Sequence, residues 1–124
     1  MSEAVLSIIS DSMKSLGINY SFMTWNGKPK YPYFTGEYSE VGTLNEDGMM
    51  ETTFILNGFS RDTWLSLEQA KTAIEKHFNK VTGKIAKAGE SVVAIFYNTA
   101  FPIRCEDAEL KRIQINLTVK EWGS

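Results

Sequence analysis

Trp25, Tyr31, Tyr33 and Tyr38 fall in one short stretch, with Glu37 and Glu40 set among them and Glu46 and Asp47 following closely. Tyrosine and tryptophan join an apolar body to a polar tip, so they suit a surface that is dry on one side and wet on the other. Three uses fit: a stacking platform for a ligand, a contact surface for another protein, or ordinary packing across a sheet. The carboxylates of Glu37, Glu40, Glu46, Asp47 and Glu51 raise the question of a hard cation. A calcium loop needs alternating carboxylates, a central glycine and a closing glutamate, and this spacing does not supply them. They read as a solvated acidic face.

Other reactive residue types are sparse. His77 stands near the end of an apolar-striped helix, where the helix dipole favours positive charge and the sequence offers no partner. As a catalytic base it would need a nucleophile and an orienting group brought to it by the fold. Cys105 follows Arg104, which lowers a thiol's pKa, but Glu106, Asp107 and Glu109 act the other way. It reads as a small buried hydrophobe or an inert loop thiol. A lone cysteine forms no intrachain disulfide or thiolate cluster, which fits a reducing compartment. No phosphate-cradling glycine loop, zinc spacing or nucleophile elbow occurs. Lys71, Lys76, Lys80, Lys84 and Lys87 make the richest basic segment, but Glu75 interrupts it and the net charge is -2. A polyanion groove is therefore not expected, and neither is sequence-specific nucleic-acid binding, a metal or a cofactor.

The elements that must position these residues follow from periodicity. Residues 3–16 carry Val5, Leu6, Ile8, Ile9, Met13 and Leu16 on one helical face, with Ser2 as N-cap and Gly17 as C-terminal cap. Residues 18–25 alternate and run into the turn signal NGKP, which predicts a strand. In the next strand, Tyr31, Tyr33, Thr35, Glu37 and Ser39 share one face, and Pro32, Phe34, Gly36, Tyr38 and Glu40 the other. Pro32 belongs at a strand start or a sheet edge, and Gly36 marks a bulge or a close backbone approach. The segment NEDGMM turns this strand into ETTFILNGFS as a long hairpin, with a tip expected to be mobile.

Residues 64–79 form a second helix, with a Ser66–Gln69 capping pattern and a stripe of Leu67, Ala70, Ile74 and Phe78. Residues 80–89 read as a short strand or a loop. Val92 to Tyr97 is a continuous apolar run expected to be buried on both sides, and Pro102 ends or bends it. Ile113, Ile115, Leu117 and Val119 then alternate against Arg112, Gln114, Asn116, Thr118 and Lys120, one face on a core and one in water. Phe22, Phe54, Phe78 and Phe96 read as core. The fold class is α+β: a mostly antiparallel sheet packed by two helices, in the order helix, three strands, helix, two or three strands.

A chain of 124 residues and 14.0 kDa has the size of one domain, here residues 1–124 with Gly123 and Ser124 set aside. With 43% apolar and 23% charged residues it has the composition of a folded globular protein. It shows neither a signal-peptide pattern nor an apolar run long enough for a membrane span, so a soluble intracellular protein is expected.

The segments VLSIISDSMKSLGI, KPKYPYFTGEYSEV and TTFILNGFSRDTWLSLEQAKTAIEKHF together resemble the tail terminator, or tail completion, proteins of long-tailed phages and prophages. The likeness spans most of the chain and rests on structural wording; none of these segments is a catalytic fingerprint. It implies an α+β subunit without enzymatic activity that self-associates into a ring. The ring would cap the tail tube and join it to the head–tail connector, first in the host cytoplasm and then in the virion. Trp25, Tyr31, Tyr33, Glu37, Tyr38, Glu40, Glu46 and Asp47 would then belong to the assembly interface. Two other classes stay open: a ligand or peptide module using the aromatic residues as a pocket, and an enzyme whose acids converge only in the fold. A deep aromatic pocket would favour the first, and clustered carboxylates with displaced pKa values the second.

Overall fold

The computed structural model describes residues 2–44, 48–88 and 90–123, the side chains of 41–44 and 88 apart. The first element is α1 (Glu3–Ser15), opened by Ser2, whose Oγ accepts the Val5 amide at 3.3 Å. Its end is set by Gly17 at φ 72°. Only there can the chain turn back so that the Ile18 amide reaches the Met13 carbonyl and the Gly17 amide the Lys14 carbonyl, both at 3.0 Å. That reversal feeds directly into β1 (Asn19–Phe22), shorter than its alternating pattern predicts because Met23, at φ 68°, turns the chain away.

Strands β2 (Tyr33–Leu44) and β3 (Met49–Ser60) make the long antiparallel hairpin. Then come α2 (Trp64–His77), β4 (Lys84–Ala88), β5 (Ser91–Ile103) and β6 (Lys111–Trp122). The architecture is α+β, with six strands in the order β1-β2-β3-β6-β5-β4. Every pairing is antiparallel except β1 with β2.

Two local readings are corrected, and at Gly36 one of two alternatives is selected. The cap of α2 is Thr63: its Oγ1 accepts the Ser66 amide, and the Ser66 hydroxyl donates back to the Thr63 carbonyl at 2.8 Å. Ser66 is already inside the first turn, so Gln69 has no cap to serve. Pro102 does not end β5, which continues to Ile103 with Pro102 opposite Ile113. β4 pairs with β5 only as far as Ile95, so around Pro102 the strand has a neighbour on one side and tolerates a residue without an amide hydrogen. The irregularity in β5 lies instead between Tyr97 and Thr99. At Gly36 no register shift occurs; a Cβ there would sit 2.6 Å from the Phe54 ring, so close approach is the reason for glycine.

The core lies between the helices and one face of the sheet. Val5, Ile9 and Met13 from α1, Leu67 and Ile74 from α2, and Phe78 at the C-cap of α2 pack on Phe34, Phe54, Leu56, Ile95, Ile113, Ile115, Leu117 and Val119. Two rings cross glycines on neighbouring strands: Phe34 lies over Gly58, its partner in register, and Phe54 over Gly36. The opposite sheet face carries no helix among the described residues and remains partly exposed. Thus the run from Val92 to Tyr97 is buried chiefly through Val93, Ala94, Ile95 and Tyr97, while Val92 and Phe96 are half-buried. Phe96 points away from the helices, and Phe22, at the last position of β1, is 37% exposed at the rim, so neither belongs to the core.

Truncating Ile115 to alanine is expected to cost about 2–5 kcal/mol, because it empties a fully buried site, and Gln114→Ala less than about 1 kcal/mol. Denaturant unfolding of the two variants checks the face assignment. Gly58→Ala is expected to destabilise by about 1–3 kcal/mol, since the added methyl must displace the Phe34 ring. The same unfolding measurement applied to Gly58→Ala and to Gly123→Ala, where nothing crowds the position, isolates that effect.

Candidate functional site

The loop joining β1 to β2 brings the first aromatic residues together. Asn19 Nδ2 donates to the Lys30 and Pro32 carbonyls, Ser21 Oγ to the Thr24 carbonyl at 2.7 Å, and Trp25 Nε1 to the Lys28 carbonyl at 3.3 Å. These bonds close the loop on itself, and its rings reach the sheet face that the helices leave uncovered. There Trp25 meets Tyr33 at 5.1 Å between ring centroids, Tyr31 meets Tyr33 at 5.5 Å, and Tyr33 stacks on Phe59 at 5.2 Å. Partial burial, with the Tyr31 hydroxyl beside it, raises the pKa of the Tyr33 phenol. On the other face Tyr20, pressed against Gly36, is pushed up to about 12 by burial.

Cations border the cluster. The Arg112 guanidinium lies 5.6 Å from the Phe59 ring centroid, and its Nη2 donates to Asn57 Oδ1 at 2.8 Å. Asn57 in turn donates to Glu37 at 3.2 Å. Arg61 Nε donates to the Tyr31 hydroxyl, and its Nη1 pairs with Asp107 at 2.8 Å. That hydrogen bond, helped by the Glu109 amide, holds Asp107 below the usual aspartate range. Phe59, Arg61, Asn57 and Arg112 were not singled out in the sequence. Phe59 and Arg112 face each other across β3 and β6. Only the alternation of both strands, read together with their register, would have placed them beside Tyr33.

The six described residues among the eight expected at the interface do not form one patch. Trp25, Tyr31, Tyr33 and Glu37 share the uncovered face. Tyr38 stands on the other face, stacked with Phe22 at 6.2 Å and 42% exposed. Glu40 falls on the Tyr38 side by alternation and is exposed. Glu46 and Asp47 lie outside the described residues, as does the centre of the turn expected to be mobile. Among the described residues, no three of His, Cys, Asp and Glu gather as a metal site. The depressions beside these residues are open. One of about 390 Å³ is lined by Phe22, Met23, Glu37 and Tyr38, and one of about 350 Å³ has Trp25 and Tyr20 at its margin.

His77 differs from its sequence reading. It has a partner, Ser12 Oγ on α1, at 3.0 Å, and its ring meets Phe78 edge-on. Burial, with Lys84 adding to it, pulls its pKa below the ordinary value of 6.5, against the expectation that the helix end favours its charge. No carboxylate bonds the other ring nitrogen among the described residues, so the pair ties α1 to α2.

No family model matches the chain, and no curated protein matches it. Among solved structures, a chain of the virion of a native gene transfer agent (GTA) particle superposes with a TM-score of 0.63 at 11% identity. The match covers 90% of this chain and 84% of that one, and at such identity it is a likeness of fold. No helix among the described residues is long and apolar enough to cross a membrane.

The His77 environment fixes a sign for pH dependence. Its folded pKa is lowered, so above 6.5 the residue is neutral in both states and its contribution is fully present. As pH falls through 6.5 towards the folded value, the unfolded chain takes up the proton first and stability is lost. Urea unfolding at about pH 7.5 and pH 5.5 should show a smaller loss for His77→Gln than for the parent chain.

Proposed function

We propose that this chain is a structural subunit of a phage-like particle that acts by assembly and not by catalysis, in the manner of a tail terminator. Its copies join into a ring that caps the tail tube and meets the head–tail connector, formed in the host cytoplasm and carried in the virion. The observation that carries this reading is the fold shared with a chain of a GTA virion over 90% of the present chain. The resemblance of the helix–hairpin–helix wording to tail terminators supplies the narrower role.

The packing of the site supports a role in contact. A pocket-binding role would need Trp25, Tyr33 and Phe59 to stand apart around a cavity. Instead Trp25 packs tilted on Tyr33 at 5.1 Å and Tyr33 stacks on Phe59 at 5.2 Å. A nucleophilic role for Ser12 would need access, and Ser12 is buried beneath its contact with His77.

The test is assembly itself. Light scattering and electron microscopy of the purified chain should show discrete closed rings as concentration rises. Supplying the gene to a phage or prophage lacking its terminator should restore tails of uniform length that join heads. A chain that stays monomeric and leaves tail length uncontrolled would overturn the proposal.

A further inference from the structure

The sheet ends in two strand edges of opposite charge, and neither is fully covered among the described residues. On one side, β1 pairs with β2 only from Tyr33 to Gly36. The Met23 amide makes a last bond to the Gly36 carbonyl, and positive φ at Met23 then takes the chain off the sheet. From Glu37 onward β2 has β3 on one side and no described strand on the other. Residues 37–40 present Glu37 on one face and Tyr38 and Glu40 on the other, with the exposed Phe22 and Met23 beside them. On the far side, β4 is bonded through one edge to β5, and its other edge is the end of the sheet. It carries Lys84 and Lys87, both exposed, on opposite faces, with Ile85 65% exposed and Val81 84% exposed next to them.

We infer that residues 37–40 of β2 in one copy take the outer edge of β4 of a second copy as an added strand, so that the sheet continues from subunit to subunit. This rests on the assembly reading above and names the surfaces that would make the contact. An edge charged only to prevent aggregation could carry either sign. Opposite signs on the two edges do more: they repel β2–β2 and β4–β4 pairing and favour β2–β4 pairing, which discriminates between modes of contact. A β2–β4 contact is head-to-tail, and repeated by rotation it closes a ring, whereas an edge paired with its own copy stops at a dimer.

Strand direction fits as well. The pairings alternate from β2 through β3, β6 and β5 to β4, so β4 runs parallel to β2. A copy rotated about an axis along the strands presents its β4 parallel to the neighbour's β2. That is the orientation β1 already has, and the incoming strand continues in line where β1 stops. Each edge also offers apolar side chains to bury, Phe22, Met23 and Tyr38 on one and Val81 and Ile85 on the other.

Charge inversion with cross-rescue tests this. One variant, Glu37→Lys with Glu40→Lys, has two basic edges; the other, Lys84→Glu with Lys87→Glu, has two acidic edges. Each alone should show apparent self-association weakened about tenfold or more relative to the parent chain. An equimolar mixture should assemble again, because both β2–β4 combinations then join opposite charges. Mass by light scattering and ring images by electron microscopy are the readouts, with thermal unfolding of each variant as the check on fold. Should a double variant not fold, the single inversions Glu37→Lys and Lys87→Glu make the same cross. Assembly of either folded variant alone as strongly as the parent, or failure of the folded mixture to recover, overturns the edge contact while leaving the assembly reading intact. A parent chain that does not self-associate at any concentration overturns both.

Discussion

β3 and β6 pair from Met49–Trp122 to Ser60–Lys111 without a register shift, and they lie at the centre of the sheet. Phe54 faces Leu117, Leu56 faces Ile115 and Gly58 faces Ile113, so the apolar members of both strands share one side. Because side chains alternate with period two, a slip of one residue would turn that whole set towards water. Both flanking strands do shift register, β2 beyond Glu40 and β5 beyond Tyr97. They can do so because the central ladder already fixes which face is apolar. The helices follow from the same constraint, since the apolar stripes of α1 and α2 have one face against which to be buried.

What the sequence showed and hid divides along the range of the interactions. Ile113, Ile115, Leu117 and Val119 were legible as a core face because each strand records its own alternation. The caps at Ser2 and Gly17 were legible because their partners are three to five residues away. The parallel pairing of β1 with β2 was not, since neighbouring strands joined by a short loop normally pair antiparallel. Here residues 23–32 carry the chain back before β2 begins, using positive φ at Met23 and Gly27. Phe96 misled because an apolar run does not say which members face the helices. His77 misled because Ser12, its partner, lies 65 residues away, and because burial against the rest of the fold outweighs the helix end.

The candidate site shows the same division. The alternation of β2 correctly separates Tyr33 and Glu37 from Tyr38 and Glu40, so one strand serves two surfaces. Which surface is closed and which open depends on residues elsewhere. Phe59 on β3 covers Tyr33 and is itself overlaid by Arg112 from β6, and Glu37 is tied to Arg112 through Asn57. Tyr38 lies beyond the cover of the helices and has Phe22 for a neighbour. The cluster around Tyr33 thus contributes to holding the β1–β2 loop on the sheet, while the Tyr38 side faces outward.

The uncovered sheet face bears on how copies of the chain can meet. Its polar side chains are largely joined sideways: Gln114 to Asn116, Asn116 to Thr99, Asn98 to Thr118, and Arg112 to Asn57 to Glu37. Stacking a second sheet on that face would strip water from these groups while adding few partners, which costs free energy for each polar atom left unpaired. A strand edge poses the opposite case. Its backbone amides and carbonyls point along the sheet, and an added strand returns a hydrogen bond for each one it takes from water. Among the described residues the Arg112 Nε is already buried without a hydrogen-bond partner on that face. Extension through the edges would touch this network only at Glu37, so the chemistry of the open face favours extension of the sheet over stacking upon it.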